Sequence, residues 1–237
     1  MISHCDIKYI KGDIHEVIKS FDNNSIDLIY TDPPFNTTLQ EWDKSLNWEE
    51  LFKEMWRVLS NRGVIILHSA LPFSYELYRY EKPKYNYIWR KINPTGYFHA
   101  KKQPLRDIEE INVYYKNNGK GHTYNPQMRG TELNRKKIIH KSSKYYGERK
   151  EKLVDNTHYG QYPRLYLGKF PRIIKGGKSV PKEIIEEMIN TYSNEGDKIL
   201  DMTCHNSYVG EIVNGLNRQY IGVDINLQPD LISATKF

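Results

Sequence analysis

Apolar positions arrive in short bursts divided by turn formers, and strand-like and helix-like spacings alternate along most of the chain. Ile7 to Ile10 predicts a strand closed by Gly12-Asp13. Ile14, Val17, Ile18 and Phe21 then recur at helical spacing and predict a short amphipathic helix. Asp22-Asn23-Asn24 turns the chain into Ser25 to Tyr30, where Ile26, Leu28, Ile29 and Tyr30 make a run apolar enough for a buried strand. Asn47 is placed to cap a helix with Glu49 and Glu50 in its first turn. Trp48, Leu51, Phe52, Met55, Trp56 and Leu59 line one face of that helix, and Gly63 is expected to end it. Val64 to Leu67 predicts another strand. Strand, helix, strand in this order is a βαβ unit, which lays its strands parallel and side by side.

Pro72 sits near the start of a helix running to Tyr80, and Tyr87-Ile88-Trp89 and Ile111 to Tyr115 read as strands. Pro94-Thr95-Gly96 and the stretch from Ala100 to Arg106 read as loops. From about Gly119 to Lys178 the periodicity fades into Gly, Pro, Tyr and Lys, and so long an irregular stretch in a compact domain is usually functional or mobile. Order returns with a helix from Lys182 to Tyr192, a strand from Lys198 to Asp201, a helix from Ser207 to Leu216 and a strand from Tyr220 to Asp224. The alternation predicts an α/β fold, and a chain of 237 residues suffices for a single sizeable domain, 1–237, with an inserted segment.

Chemistry concentrates at strand ends. The segment Thr31-Asp32-Pro33-Pro34-Phe35-Asn36 follows a buried strand with a carboxylate and then two prolines. Each proline fixes φ, removes an N–H and pushes its predecessor out of the helical region, so the strand stops in a stiff, extended turn. Open α/β sheets place ligands at that edge. An acid, free carbonyls and an aromatic ring held together there suit gripping a planar group through an exocyclic amine. Asp201 and Asp224 end two further strands with a helix between them, which resembles a nucleoside-binding βαβ unit whose second acid takes the ribose hydroxyls. Acidic tips also end many ordinary strands.

Composition narrows the partner. The net charge of +6 is unevenly spread: Arg90 to Lys178 carries 21 Lys/Arg against 7 Asp/Glu, so the remainder is acidic. A basic block inside an acidic domain is the footprint of a polyanion-binding surface. Cys5 and Cys204 make no disulfide framework, and the histidines have no metal-ligand spacing, so no metal is expected. No apolar run approaches the ~18 residues of a membrane span, so a soluble protein without a membrane partner is expected. Tyr97, Phe98, Tyr145 and Tyr146 could stack on nucleic acid or pack within the protein.

The order of these motifs resembles that of the circularly permuted, beta-class DNA adenine-N6 methyltransferases, in particular the compact type of phages and bacteria. The likeness spans nearly the whole chain. It takes in Gly12-Asp13, the strand before Asp32, Asp-Pro-Pro-Phe with Asn36-Thr37-Thr38 and Trp42-Asp43, and Arg57-Val58-Leu59. It continues through Pro72-Phe73, Pro94-Thr95-Gly96, Ala100 to Arg106, Tyr124-Asn125-Pro126-Gln127 and Asn194-Glu195-Gly196-Asp197. The resemblance implies a Rossmann-like, mostly parallel seven-stranded sheet, S-adenosylmethionine as methyl donor and double-stranded DNA as substrate. It also implies a cytoplasmic setting in a bacterial or phage-infected cell, and it admits a homodimer. The basic stretch, approximately 93–178, becomes a target-recognition insertion.

Position by position, Asp32, Pro33, Pro34 and Phe35 become the catalytic motif. Asp32 and the Pro33 carbonyl would accept the amine hydrogens, and Phe35 would stack on the base. Asp13 would accept from the cofactor's adenine amine. Asp32 would also border the cofactor, Asp201, Thr203, Cys204, His205, Asn206 and Ser207 would form the cofactor loop, and Asp224 would hold the ribose hydroxyls. Asn36, Lys101, Lys102, Arg106 and Arg129 are the candidate DNA contacts. One stretch departs from the pattern: His205 and Ser207 stand where the family carries glycines, and Gly176 to Pro181 replaces the family's His-Pro-Thr-Gln-Lys-Pro. His and Asn tolerate left-handed backbone better than most residues, so the turn is expected to survive. Cytosine-N4 methylation, and a DNA-binding relative with weakened or lost cofactor binding, stay open. An RNA methyltransferase is disfavoured because its comparable motif usually follows the cofactor unit.

Overall fold

A computed structural model describes residues 6–116, 121–134, 137–140, 152–155, 157–171, 180–206 and 208–227. The chain starts with β1 (Ile7–Lys11), the one-turn helix α1 (Ile14–Val17) prolonged by a 3-10 turn at Ile18–Ser20, and β2 (Ile26–Thr31). Then come α2 (Trp48–Val58), β3 (Leu59–Ser69), α3 (Phe73–Tyr80), β4 (Tyr85–Thr95), a 3-10 turn at Tyr97–His99 and β5 (Arg106–Tyr115). Five short strands follow: β6 (Arg129–Asn134), β7 (Lys137–His140), β8 (Lys152–Asp155), β9 (His158–Gln161) and β10 (Tyr166–Phe170). The chain continues with α4 (Lys182–Tyr192), β11 (Lys198–Asp201), α5 (Tyr208–Gly215) and β12 (Gln219–Asp224).

Two compact units result, one from Met1–Asn125 with Leu165–Phe237, the other from Pro126–Arg164. The larger unit is built on a sheet in the order β1-β12-β11-β2-β3-β5-β4-β10. β5 alone runs against its neighbours. The sheet has eight strands rather than the expected seven, because β10 adds to β4 in parallel at the far edge. Both faces of its middle are covered. Ile184, Ile185, Met188 and Ile189 of α4 pack on Leu28, Tyr30, Ile66 and Ile111, while Leu51 and Met55 of α2 pack on Ile29, Ile65 and Leu67 on the other side. Burial from both sides is why Leu28 to Tyr30 of β2 and Val64 to Leu67 of β3 read as unbroken apolar runs.

Helix α2 ends without the expected glycine. Leu59 is already extended, and its amide closes on the Met55 carbonyl. Gly63 lies inside β3, where the register with β2 jumps from Ile26↔Leu59 to Leu28↔Val64. A Cβ at Gly63 would stand 3.0 Å from the Asp27 carbonyl oxygen and 2.7 Å from Leu59 Cδ1, so close packing explains the glycine.

The smaller unit contains two antiparallel pairs, β6 with β9 and β7 with β8. Gly160 has φ +73°, and a Cβ there would lie 2.6 Å from the Gly130 carbonyl oxygen, so only glycine fits. The span 93–178 includes β5 and β10 of the large sheet, whereas the compact second unit covers Pro126–Arg164. Among the described residues no helix is long and apolar enough to cross a membrane.

Candidate active site

Because β1, β12, β11, β2 and β3 are adjacent and parallel, their C-terminal ends share one edge of the sheet. Asp13, Asp224, Asp201 and Asp32 therefore stand side by side on neighbouring strands, although up to 211 sequence positions separate them. Asp13 follows β1 and caps α1, accepting from the His15 amide at 2.9 Å, and it is exposed. The Gly12 amide donates to the Asp224 carbonyl at 3.1 Å, which ties the ends of β1 and β12 together.

At the end of β2, Thr31 and Pro33 are buried, and Asp32 between them is half-buried. Beyond the prolines, Phe35 stacks on Phe73 with ring centroids 5.1 Å apart and planes 17° from parallel. Asn36 then adopts φ +53°. The backbone that follows is held by one residue. Asp43 accepts from the amides of Asn36 at 2.7 Å, Thr37 at 2.9 Å and Thr38 at 2.6 Å. Burial works to raise the pKa of Asp43, but the hydrogen bonds from Thr38, Thr37 and Asn36 outweigh it and hold the carboxyl below its ordinary range.

The loop after β11 meets this motif directly. The Thr203 hydroxyl lies 2.8 Å from the Thr31 hydroxyl and donates to the Asp32 carbonyl at 3.3 Å. Asp201 is buried beneath the loop, with its oxygens accepting from the Thr203 amide at 3.2 Å and the Tyr220 hydroxyl at 3.0 Å. Burial pushes its pKa up to about 7 against those two hydrogen bonds, and nearby Asp32 and Asp224 push the same way. Cys204 is buried under the loop, and its amide donates to the Val223 carbonyl at 3.0 Å. His205 is exposed with φ +48°, the left-handed conformation that glycine would otherwise supply. Asp224 accepts from the His205 amide at 2.9 Å and the Asn226 amide at 2.7 Å. Asn206 accepts from the Tyr208 amide at 3.0 Å and so opens α5. Ser207 lies outside the described residues, as do Tyr145, Tyr146 and Gly176 to Ser179.

A second polar group on this edge escaped the sequence reading. The Lys91 ammonium donates to Glu109 at 2.9 Å, and both side chains are largely shielded from water. Burial raises the Glu109 pKa, neighbouring Asp32 adds to the rise, and Lys91 opposes it. His68 is fully buried, within 2.8 Å of the Tyr30 hydroxyl, and burial lowers its pKa to about 4, so it is neutral. The signal was a period of two: Tyr85, Tyr87, Trp89 and Lys91 share one face of β4, so Lys91 follows three aromatic positions inward.

The candidate DNA contacts fall in different places. Asn36 is exposed beside the Asp32 motif, and Lys101, Lys102 and Arg106 are exposed on the turn joining β4 to β5. Arg129 is exposed on β6 of the smaller unit.

With this geometry in hand, comparison with known proteins is specific. The N6/N4 DNA methylase family matches residues 26–229. The type II methyltransferase M.HpaI of Haemophilus parainfluenzae is 26% identical over 93% of this chain and 71% of its own length. The crystal structure of M1.HpyAVI in complex with SAM superposes with a TM-score of 0.57 at 18% identity, covering 97% of this chain and 96% of that one. The cytosine-N4-specific PvuII DNA methyltransferase gives 0.62 at 14% identity over 97% of this chain and 85% of its own. These two structures share the Rossmann-like, mostly parallel α/β fold. The family match covers both the Asp32 edge and the loop that touches it, and the chain belongs to the N6/N4 DNA methylases.

Proposed function

We propose that this chain transfers a methyl group from S-adenosylmethionine to the N6 amine of an adenine flipped out of double-stranded DNA, as a permuted, beta-class enzyme. The observation that carries the reading is the contact of Thr203 with Thr31 and Asp32, which sets an acidic, proline-stiffened turn against the loop of a nucleoside-type βαβ unit. Asp at the head of the motif favours adenine over cytosine.

The residues present fit the methyl donor. Asp13 is exposed, and Asp224, half-exposed, keeps acceptor capacity beyond the two amides it already serves, since a carboxylate offers about four lone-pair sites. Asp13 would take the adenine amine and Asp224 the ribose hydroxyls, with the backbone from Thr203 to Asn206 alongside. Asp201 contributes by shaping that loop. When bound, the donor supplies an electrophilic methyl group on a sulfonium.

The protein's part is to make a poor nucleophile reactive. The lone pair of an aromatic amine is delocalised into its ring. The Asp32 carboxylate and the Pro33 carbonyl accept the two N–H hydrogens, which favours a pyramidal, more nucleophilic nitrogen. Asp32 accepts a hydrogen bond first and a proton only as charge develops. Phe35, braced by Phe73, limits where the base plane can lie. Extrusion of the base costs a few kcal/mol, drawn from DNA contacts for which Asn36, Lys101, Lys102 and Arg106, and separately Arg129 of the smaller unit, are the candidates. The reaction belongs in the cytoplasm of a bacterial or phage-infected cell, where the DNA is.

Sequencing that detects modified bases, applied to DNA from cells expressing the protein, tests this. N6-methyladenine in one sequence context is expected from the wild type and none from Asp32→Ala. N4-methylcytosine would overturn the choice of base. An unmodified genome, together with no heat of binding on titration with S-adenosylmethionine, would favour a DNA-binding relative instead.

A further inference from the structure

The β4–β5 hairpin outruns the rest of the sheet. Pairing between β3 and β5 stops at Ser69↔Glu110, yet β5 continues to Arg106, paired with β4 alone. Those extra residues carry the hairpin about 13 Å past the end of β3, at ~3.3 Å per residue. β4 runs in the same direction as β2, so the arm projects on the side where Asp32 stands. At its tip, Gly96 takes φ +92° and starts the 3-10 turn Tyr97–His99.

That turn presents what a soluble domain normally hides. Phe98 is 94% exposed and Tyr97 67% exposed, which answers, for these two, whether they pack within the protein. His99 lies edge-on to Phe98 at 5.0 Å and leaves the Phe98 ring in solvent. No acid occurs between Lys91 and Asp107, while Lys101, Lys102 and Arg106 are all exposed there. Asp107 itself is paired with Arg90. Exposed aromatics flanked by unopposed cations match the surface of a base stack bordered by phosphates.

We propose that the arm is a DNA wedge: Phe98, with Tyr97 beside it, enters the base stack where the target nucleotide has left, and Lys101, Lys102 and Arg106 take the flanking phosphates. The inference rests on the reading of this chain as an enzyme that works on a flipped-out base. An apolar ring in the vacated gap restores stacking to the neighbouring base pairs and so favours the extruded state.

The test is binding of a labelled duplex that is intact or carries one central abasic site, followed by fluorescence anisotropy. The gap is already made in the abasic duplex, so the wild type should bind it at least about tenfold more tightly. Phe98→Ala should bring the two affinities to near parity, and Phe98→Trp should keep the preference. Lys101→Ala and Lys102→Ala should weaken binding to both duplexes alike and each lower the salt slope by about one. A preference retained in Phe98→Ala, or absent from the wild type, overturns the wedge. So does a Phe98→Ala protein that keeps the preference but loses a dimer in sedimentation, which would assign the arm to a second copy of the chain. Asp32→Ala should keep the abasic preference while losing methylation. Full methylation by Asp32→Ala would remove the catalytic reading without touching the binding result.

Discussion

Two neighbouring strands lead to an aspartate, β2 with Asp32 just after its last residue and β11 with Asp201 as its last residue, and the two acids sit in opposite surroundings. Asp32 sits in an extended turn set by prolines, half-exposed, with the chain beyond it held from outside by Asp43. Asp201 is sealed beneath its loop, both oxygens engaged by Thr203 and Tyr220. The same residue type near the C-terminal ends of two adjacent strands is therefore partly open to solvent in one loop and an internal anchor in the other. What separates them is the next two residues. Two prolines remove the amides that would fold back onto Asp32, whereas Met202-Thr203 leaves an amide free to close on Asp201.

The contrast is open to direct attack. Asp32→Ala should lower the methylation rate by about a thousandfold or more while leaving the melting temperature and DNA affinity nearly unchanged. A variant that unfolds instead would make Asp32 structural. Asp201 should show the reverse pattern, through pH. Its carboxyl titrates near 4 in an unfolded chain and at about 7 in the folded one, so between those values the folded state holds a proton that the unfolded state has lost. Stability should therefore fall as pH rises from about 4 to 7, by a few kcal/mol, and level off above. Asp201→Asn, which has no such proton, should flatten that limb in urea midpoints measured across the range.

Smaller effects separate the two loops further. Asp43→Ala leaves three amides without their acceptor and should cost about 2 kcal/mol, with activity falling more than global stability would explain. Comparing rates well below the melting temperature checks this. Asn36 and His205 hold the corresponding left-handed positions, one in each loop. Substituting valine at either should cost about 1–2 kcal/mol, and glycine should change stability by less than that. Valine at 36 should impair transfer to DNA, and valine at 205 should weaken S-adenosylmethionine binding by calorimetry.

How much of this was legible depended on whether burial left a pattern. Helix α4 and strand β11 run from Lys182 to Tyr192 and from Lys198 to Asp201, as the sequence predicts, because one buried face dictates the helical spacing and burial on both faces the short apolar run of the strand. Strands β6 and β9 left no such trace: β6 is exposed along nearly its whole length, so no hydrophobic alternation was required of it. Gly63, expected to end α2, lies instead at a register jump inside β3, which the sequence of one strand cannot reveal without its partner. In the site, the proline turn and the acidic tips were visible as local chemistry. Lys91 and Glu109 meet across two strands, and the three amides held by Asp43 are backbone groups, so neither left a local signature.

The hydroxyl contact between Thr31 and Thr203 joins segments 172 positions apart in the chain. The same Thr203 hydroxyl also donates to the Asp32 carbonyl, so the two loops are joined directly as well as through their adjacent strands. On the function proposed above, methyl donor and base lie on either side of this contact, and any factor by which one changes the affinity of the other is returned equally in the opposite direction.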